Sequence, residues 1–239
     1  MIEALLTPKK KSNSAPATGG ENFFFFEGPD AQAMTITRTN APYEATPSID
    51  GKTIDLAAAN SRAVIAFNPP VNFKNPDWTL EWSDINKTAA VSAYANQITL
   101  FPVNPPRTVV VGRFGDNGFG NRLQFGGTMA AVNSCYSTPN TKTSLVGVLK
   151  RYALVSKGGN ISLFIDGVKT LLAAGTGSAY NIASFISEAP DQVVYSICIG
   201  ALTASSSDGI PASRGPMRFT MRALYTANYT PQPINGLAP

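Results

Sequence analysis

Two consecutive hairpin signals in residues 151–172, RYALVSKGGNISLFIDGVKTLL, constrain the fold more than any other part of the sequence. Residues 158–160, Gly-Gly-Asn, tolerate positive φ and predict one tight turn, and the Asp166-Gly167 dipeptide predicts a second. Between the turns, the side chains alternate with period 2, as in a strand with one buried face. This stretch therefore predicts three short antiparallel strands, which indicate an all-β domain.

The rest of the chain shows the same pattern of strands and turns, with little helical periodicity. Loops are predicted at residues 41–47, 68–76, 112–120 and 204–216, and one short helix at 181–187. Further strands are predicted at residues 23–26, 33–39, 48–56 (a hairpin turning at 50–51), 63–67, 77–83, 96–103, 108–111, 121–125, 130–140, 145–149, 193–200 and 217–225. About a dozen strands at hairpin spacing predict a two-sheet antiparallel sandwich around one core.

Two aromatic segments each admit two interpretations. Residues 23–26 are four consecutive phenylalanines, which cannot share one strand face because successive side chains point in opposite directions. Such a strand is either buried on both faces, or packed on the core with one face and on a partner with the other. In residues 77–83, Trp78, Leu80 and Trp82 share one face and predict core packing, with a sugar-stacking platform as the alternative.

Charged residues are scarce, and the net positive charge is unevenly distributed along the chain. They make up 14% of the chain, against about 25% in an ordinary globular protein. A surface of this kind is common in extracellular proteins and in proteins of large assemblies. The net charge is +4, with Arg214, Arg218 and Arg222 interpreted as scattered surface arginines. Since no dense basic stripe with aromatic platforms is present, no nucleic-acid partner is expected.

The sequence lacks the residues that most catalytic and metal sites need. There is no histidine, so neither a Ser-His nor a Cys-His arrangement can form. Cys135 and Cys198 have no metal or redox spacing, and buried thiols are predicted, with a disulfide as the alternative. Glu81 and Asp84 are three residues apart and point to opposite faces of a regular strand, unlike paired glycosidase carboxylates. A non-enzymatic protein without cofactor or metal is therefore expected.

The two ends of the chain differ from the predicted sandwich at residues 22–230. Residues 1–21 have no core of their own and predict an extended N-terminal arm held by a neighbouring subunit, and residues 231–239 predict an extended tail. No apolar run is long enough to span a membrane, and the order of apolar and charged residues does not match a secretory signal. The arm's predicted partner-binding residues are apolar anchors and a basic cluster: Ile2, Leu5, Leu6, Lys9, Lys10 and Lys11.

Three segments, in this order, resemble the concanavalin A-like jelly-roll superfamily, nearest to its laminin G-like branch. They are the strand at 78–82 with its terminal tryptophan, the hairpin at 152–168, and the closing strand at 219–225. The resemblance covers roughly residues 49–231. It implies a jelly-roll sandwich, but Thr220-Met221-Arg222 stands where the family usually carries an acidic pair, so no calcium role is carried over.

The superfamily includes lectins, glycan-cleaving enzymes, adhesive modules and components of phage particles, so the fold alone does not select a function. The main hypothesis is a non-enzymatic structural protein of a bacteriophage virion, as a capsid decoration or minor head or tail protein. It would form a homo-oligomer, and its arm would bind neighbouring capsid or tail subunits.

The alternative hypothesis is a lectin-like adhesion module, extracellular or at a cell surface, that binds a host-surface glycan. Its predicted binding residues are aromatic side chains that stack on a sugar and polar loop residues that bond its hydroxyls: Trp78, Trp82, Tyr94 or Tyr136, with Asp116, Asn117 and Asn121.

Overall fold

The computed structural model describes residues 24–27, 35–39, 46–47, 53–72, 77–88, 95–101, 112–116, 121–125, 133–138, 146–158, 160–174, 193–201 and 209–234. The predicted N-terminal arm, the predicted strand at 108–111 and the predicted helix at 181–187 lie outside these ranges. Within them the chain forms fifteen strands and no helix: β1 (Phe24–Glu27), β2 (Thr35–Thr39), β3 (Thr46–Pro47), β4 (Ile54–Leu56), β5 (Arg62–Asn72), β6 (Trp78–Asn86), β7 (Ala95–Phe101), β8 (Gly112–Asp116), β9 (Asn121–Phe125), β10 (Asn133–Thr138), β11 (Leu149–Lys157), β12 (Asn160–Ile165), β13 (Val168–Ala174), β14 (Val193–Gly200) and β15 (Ala212–Thr220).

The strands form two sheets that are joined through one shared strand. The first sheet has the order β12-β11-β6-β15-β4-β3, with β1 also on β15, and the second has the order β2-β5-β14-β7-β8-β9-β10. Strand β13 joins them, because Val168 to Thr170 pair with β12 and Leu171 to Ala174 pair with β10. All neighbours are antiparallel except β1 and β15, which are parallel. The predicted all-β antiparallel sandwich is confirmed.

The inner face of the first sheet is built on the aromatic side chains of β6. Trp78, Leu80 and Trp82 have no exposed surface. Trp82 stacks on Tyr152 of β11 at 5.1 Å between ring centroids, and Trp78 stacks on Phe219 of β15 at 6.1 Å. The prediction of core packing is confirmed. The alternative, in which Trp78 and Trp82 form a sugar platform, is wrong because neither indole is accessible to a ligand.

Strand β15 contains an irregularity that sets which residues face the core. Its ladder with β6 shifts between Arg214, which pairs with Asp84, and Met217, which pairs with Trp82. In a regular strand, residues three apart face opposite sides, and the added residue of a bulge restores them to the same side. Arg214 and Met217 therefore both face inward, while Arg218, paired with Glu81, faces outward.

The two acids of β6 pair with two different arginines of β15. The Asp84–Arg214 pair, on the inner face, has 1% exposure on each side chain and 3.1 Å between Arg214 Nε and Asp84 Oδ2. Burial raises the pKa of the Asp84 carboxyl, and Arg214 opposes that shift. The predicted opposite orientation of Glu81 and Asp84 is confirmed. The interpretation of Arg214 and Arg218 as surface residues is wrong, since both are buried.

Several strand boundaries differ from the predicted ones. β5 continues to Asn72 through a predicted loop that contains Pro69 and Pro70. Its ladder with β2 ends at Asn68, and its ladder with β14 is irregular there. This position tolerates prolines because no regular ladder requires their missing N–H groups.

Further boundaries were also predicted wrongly, and β8 (Gly112–Asp116) occupies part of the loop predicted at 112–120. β3 precedes the predicted hairpin at 48–56, although its antiparallel pairing with β4 preserves a hairpin. In the predicted strand at 145–149, Gly147 has φ +74 and forms a turn, so β11 begins only at Leu149. β15 begins at Ala212, inside the predicted loop at 204–216, and ends at Thr220, before the predicted end at 225.

Cys198 is buried and is not in a disulfide, and its Sγ donates to the carbonyl oxygen of Ala201 at 3.2 Å. Its predicted role as a small buried side chain is confirmed. The alternative of a disulfide at Cys198 is wrong.

The buried Asp84–Arg214 pair generates a stability prediction. Arg214→Met should lower the free energy of unfolding by about 3–5 kcal/mol, because Asp84 then stays buried without its cation. The double variant Asp84→Leu/Arg214→Met should recover most of this loss, since neither charge remains. Urea unfolding measures both. Lys87→Met, which breaks the exposed pair with Asp55, is the control and should cost about 1 kcal/mol or less. Losses that simply add in the double variant would contradict the prediction.

Candidate functional site

The C-terminal residues 221–234, here named the strap, leave β15 after Thr220 and lie across the outer face of the first sheet. The first attachment is at Thr79 of β6. Its Oγ1 donates to the carbonyl oxygen of Arg222 at 2.8 Å and accepts from the backbone N–H of Leu224 at 2.9 Å. Both faces of β6 are therefore largely buried, although the sequence predicts burial of only one.

The second attachment is the carboxylate of Glu81, which is only 6% exposed. Arg218 Nε donates to Glu81 Oε2 at 2.7 Å, and Arg218 Nη2 lies 2.6 Å from the same oxygen. The hydroxyl of Tyr225 donates to Glu81 Oε1 at 2.8 Å. Both carboxylate oxygens are thus bonded, one within the sheet and one to the strap, and this offsets the cost of burying the charge.

The third attachment is an aromatic cluster, formed by Phe164 of β12 with Tyr225 and Tyr229 of the strap. The two tyrosine rings are parallel, with 3.5 Å between centroids and 2° between planes. Each meets Phe164 edge-on, at 6.2 and 5.6 Å. Phe164 also packs with Ala153 and Val155 of β11. Phe164 lies on the face opposite Leu163, as predicted, and the strap buries it.

The fourth attachment is the turn between β12 and β13. The backbone N–H of Tyr229 donates to the carbonyl oxygen of Gly167 at 2.9 Å, and the N–H of Lys169 donates to Asn228 Oδ1 at 2.8 Å. Gly167 has φ +78, and a methyl group on its Cα would overlap the Tyr229 carbonyl oxygen and approach Pro231 Cδ to 2.7 Å. Glycine is needed here both for its backbone conformation and for the close approach of the strap.

The electrostatics of this site favour anchoring over catalysis. Burial, together with the Glu81 carboxylate, raises the pKa of both Tyr225 and Tyr229 well above the ordinary value of 10.0. A tyrosine beside a carboxylate is in principle a nucleophile beside a base. Here the raised pKa keeps both phenols protonated, and Arg218 holds the carboxylate. Among the described residues, no group of three or more His, Cys, Asp or Glu could hold a metal ion.

The structure separates the glycan-binding residues predicted from the sequence. Asp116 and Asn121 are direct partners across the β8–β9 hairpin of the second sheet, and Asn117 between them is outside the described residues. Trp78 and Trp82 lie in the first sheet. Of the predicted stacking tyrosines, Tyr136 belongs to β10, and Tyr94 is again outside the described part.

The six predicted arm residues also fall outside the described ranges: Ile2, Leu5, Leu6, Lys9, Lys10 and Lys11.

Sequence reasoning missed the cluster of Glu81, Arg218, Tyr225 and Tyr229. Extending the alternation of β15 to residue 225 predicts that Tyr225 faces the same side as Met217, with Arg218 on the other side. The chain instead leaves the strand after Thr220 and places Tyr225 on the side of Arg218. The available signal was the pair of tyrosines four residues apart after the closing strand.

The fold is similar to that of solved structures with different functions. The botulinum neurotoxin serotype D binding domain matches 80% of this chain and 44% of its own, with a TM-score of 0.53 and 9% sequence identity. Trypanosoma rangeli sialidase also matches 80% of this chain and 28% of its own, with a TM-score of 0.53 and 13% identity. This chain therefore spans less than half of either structure, and at these identities the similarity shows the fold alone.

No model of a known protein family matches the sequence, and no curated protein matches it. No helix in the described part of the chain is long and apolar enough to cross a membrane.

The close approach at Gly167 generates a prediction with an internal control. Gly158 also has positive φ, 55° against 78° at Gly167, but has no atom within 4 Å of an added Cβ. Gly158→Ala should cost about 1–2 kcal/mol from the left-handed backbone alone. Gly167→Ala should cost more, because it also displaces the strap. Urea unfolding and amide hydrogen exchange of residues 221–234 measure this, and equal effects of both variants would refute it.

The raised pKa of Tyr225 generates a prediction about alkaline pH. Since its pKa is raised on folding, its contribution to stability is complete below pH 10 and falls as the pH rises further. Tyr225→Phe should be about 1–3 kcal/mol less stable than the native chain at pH 8, because the bond to Glu81 is lost. That difference should narrow between pH 10 and pH 11.5, as measured by urea unfolding. A constant difference would show that Tyr225 is not bonded to Glu81.

Proposed function

We propose that this protein is a non-enzymatic binding module that recognises a glycan, or a glycan-bearing receptor, outside the cell or at a cell surface. The observation that carries the proposal is the match of 80% of the chain to the fold of a neurotoxin binding domain. The second similar structure is a sialidase, an enzyme that acts on sugars.

The β8–β9 hairpin is the proposed contact surface. Asp116 and Asn121 are direct backbone partners in this hairpin, and Asn117, which follows Asp116 in the sequence, is part of the proposal. Carboxylate and amide groups are the residue types that offer acceptors and donors to sugar hydroxyl groups. Trp78 and Trp82 take no part in this surface because they are buried.

The assembly hypothesis has less support. It depends on residues 1–21, which are outside the described ranges, and neither structure compared above is named as a virion component. The binding hypothesis draws on the fold of the described residues, so it is the better supported of the two.

The proposal predicts sugar binding by the full chain. A glycan array, probed with and without calcium, should give specific hits, and titration with a hit should show at least tenfold weaker binding by Asp116→Ala/Asn121→Ala. The matched control, Asp55→Ala/Asn160→Ala, removes one carboxylate and one amide from the first sheet and should bind as the native chain does. An array without hits in either buffer would refute the proposed function.

A further inference from the structure

The outer face of the first sheet carries basic side chains that form no ion pair with a described acid. Among the described residues, five basic side chains are in ion pairs with acids: Lys87 with Asp55, Lys150 with Asp166, Lys157 with Asp77, Arg214 with Asp84 and Arg218 with Glu81. In the same part of the structure, Arg151, Lys169 and Arg222 form no ion pair. The described acids nearby, Asp77, Asp166 and Glu81, are paired with other basic side chains, so no described acid compensates the positive charge of these three residues.

The sheet register places these cations around the aromatic cluster. Lys169 is the direct partner of Phe164, which is in turn the direct partner of Ala153. Arg151 lies two residues before Ala153 on the same strand and therefore on the same face. From strand spacing, the Cα atoms of Arg151 and Lys169 are about 12 Å apart. Arg222 is held on this face through its carbonyl bond to Thr79.

The polar surroundings of this face are suited to a ligand rather than to further ion pairs. Asp166 is engaged by Lys150 Nζ at 2.7 Å and by the backbone N–H of Arg151 at 3.0 Å. Lys169, Arg222 and Asn228 are exposed, and Tyr225 and Tyr229 are only partly buried. Partly exposed aromatic rings beside cations and an exposed amide match the chemistry that a charged sugar requires.

We propose that this face, defined by Arg151, Lys169, Arg222 and the Tyr225–Tyr229 pair, is a second ligand site that binds an anionic saccharide. The ligand class rests on the proposed function, and the site is separate from the β8–β9 hairpin. The three cations engage the carboxylate or sulfate groups of the ligand, and the tyrosine edges contact its ring. A nucleic acid fits less well, because its affinity needs a longer series of phosphate contacts than three cations supply.

The test is binding of the full chain to four probes by calorimetry at low and moderate salt. The probes are a sialylated oligosaccharide, a sulfated oligosaccharide, the neutral parent sugar and single-stranded DNA. The variant Arg151→Gln/Lys169→Gln should keep the fold, because neither side chain is paired with a described acid and neither is fully buried. Lys87→Gln removes one charge beside Asp55, away from the aromatic cluster, and is the control.

We expect one of the two anionic sugars to bind at least tenfold more tightly than the neutral sugar, with affinity that falls as salt is added. The choice between the sialylated and sulfated probes identifies the anion. The double variant should bind the anionic sugar at least tenfold more weakly than the native chain, and Lys87→Gln should bind it as tightly as the native chain does.

Three results would overturn the proposal of a second ligand site. They are equal affinity of the double variant and the native chain, tighter binding of the neutral sugar, and tighter binding of DNA than of either sugar. In the first two results the native chain still binds sugar, so the proposed function survives. If the native chain binds none of the three sugars, the site fails, and the glycan array then decides whether the proposed function fails with it.

Discussion

The position of the strap depends on one buried carboxylate, that of Glu81. A charge with 6% exposure is costly unless every oxygen is bonded, and here Arg218 from the sheet and Tyr225 from the strap supply those bonds. The attachment is mutual, because the strap excludes water from the carboxylate that holds it. The stacking of Tyr229 on Tyr225 and the contact with Gly167 extend this attachment to the edge of the sheet.

Strand β15 organises both faces of the first sheet. Its irregularity between Arg214 and Met217 directs one arginine inward to Asp84 and the next outward to Glu81. Without the irregularity, two arginines four residues apart would share a face, and one acid of β6 would be buried without a cation. Two of the three arginines in residues 214–222, Arg214 and Arg218, are therefore buried, and Arg222 is the exposed one.

The sequence predicts local structure well here and long-range contacts poorly. The two turns of residues 151–172 follow from residues that adopt positive φ, namely Gly158, Asp166 and Gly167. The burial of Trp78 and Trp82 follows from their alternation. The contact between Tyr225 and Glu81 joins residues that are 144 positions apart, and no periodicity encodes it. The end of β15 at Thr220 was missed because the alternating pattern continues past it, while the competing hydrogen bonds come from Thr79.

The sharing of β13 between the two sheets has a mechanical consequence. Its first residues are bonded to β12 and its last to β10, so the two layers are linked by a continuous backbone ladder as well as by side-chain packing. Sliding one layer over the other would break that ladder. A tensile load on the first sheet is therefore transmitted to the second through main-chain hydrogen bonds, and the two layers resist shear as one unit.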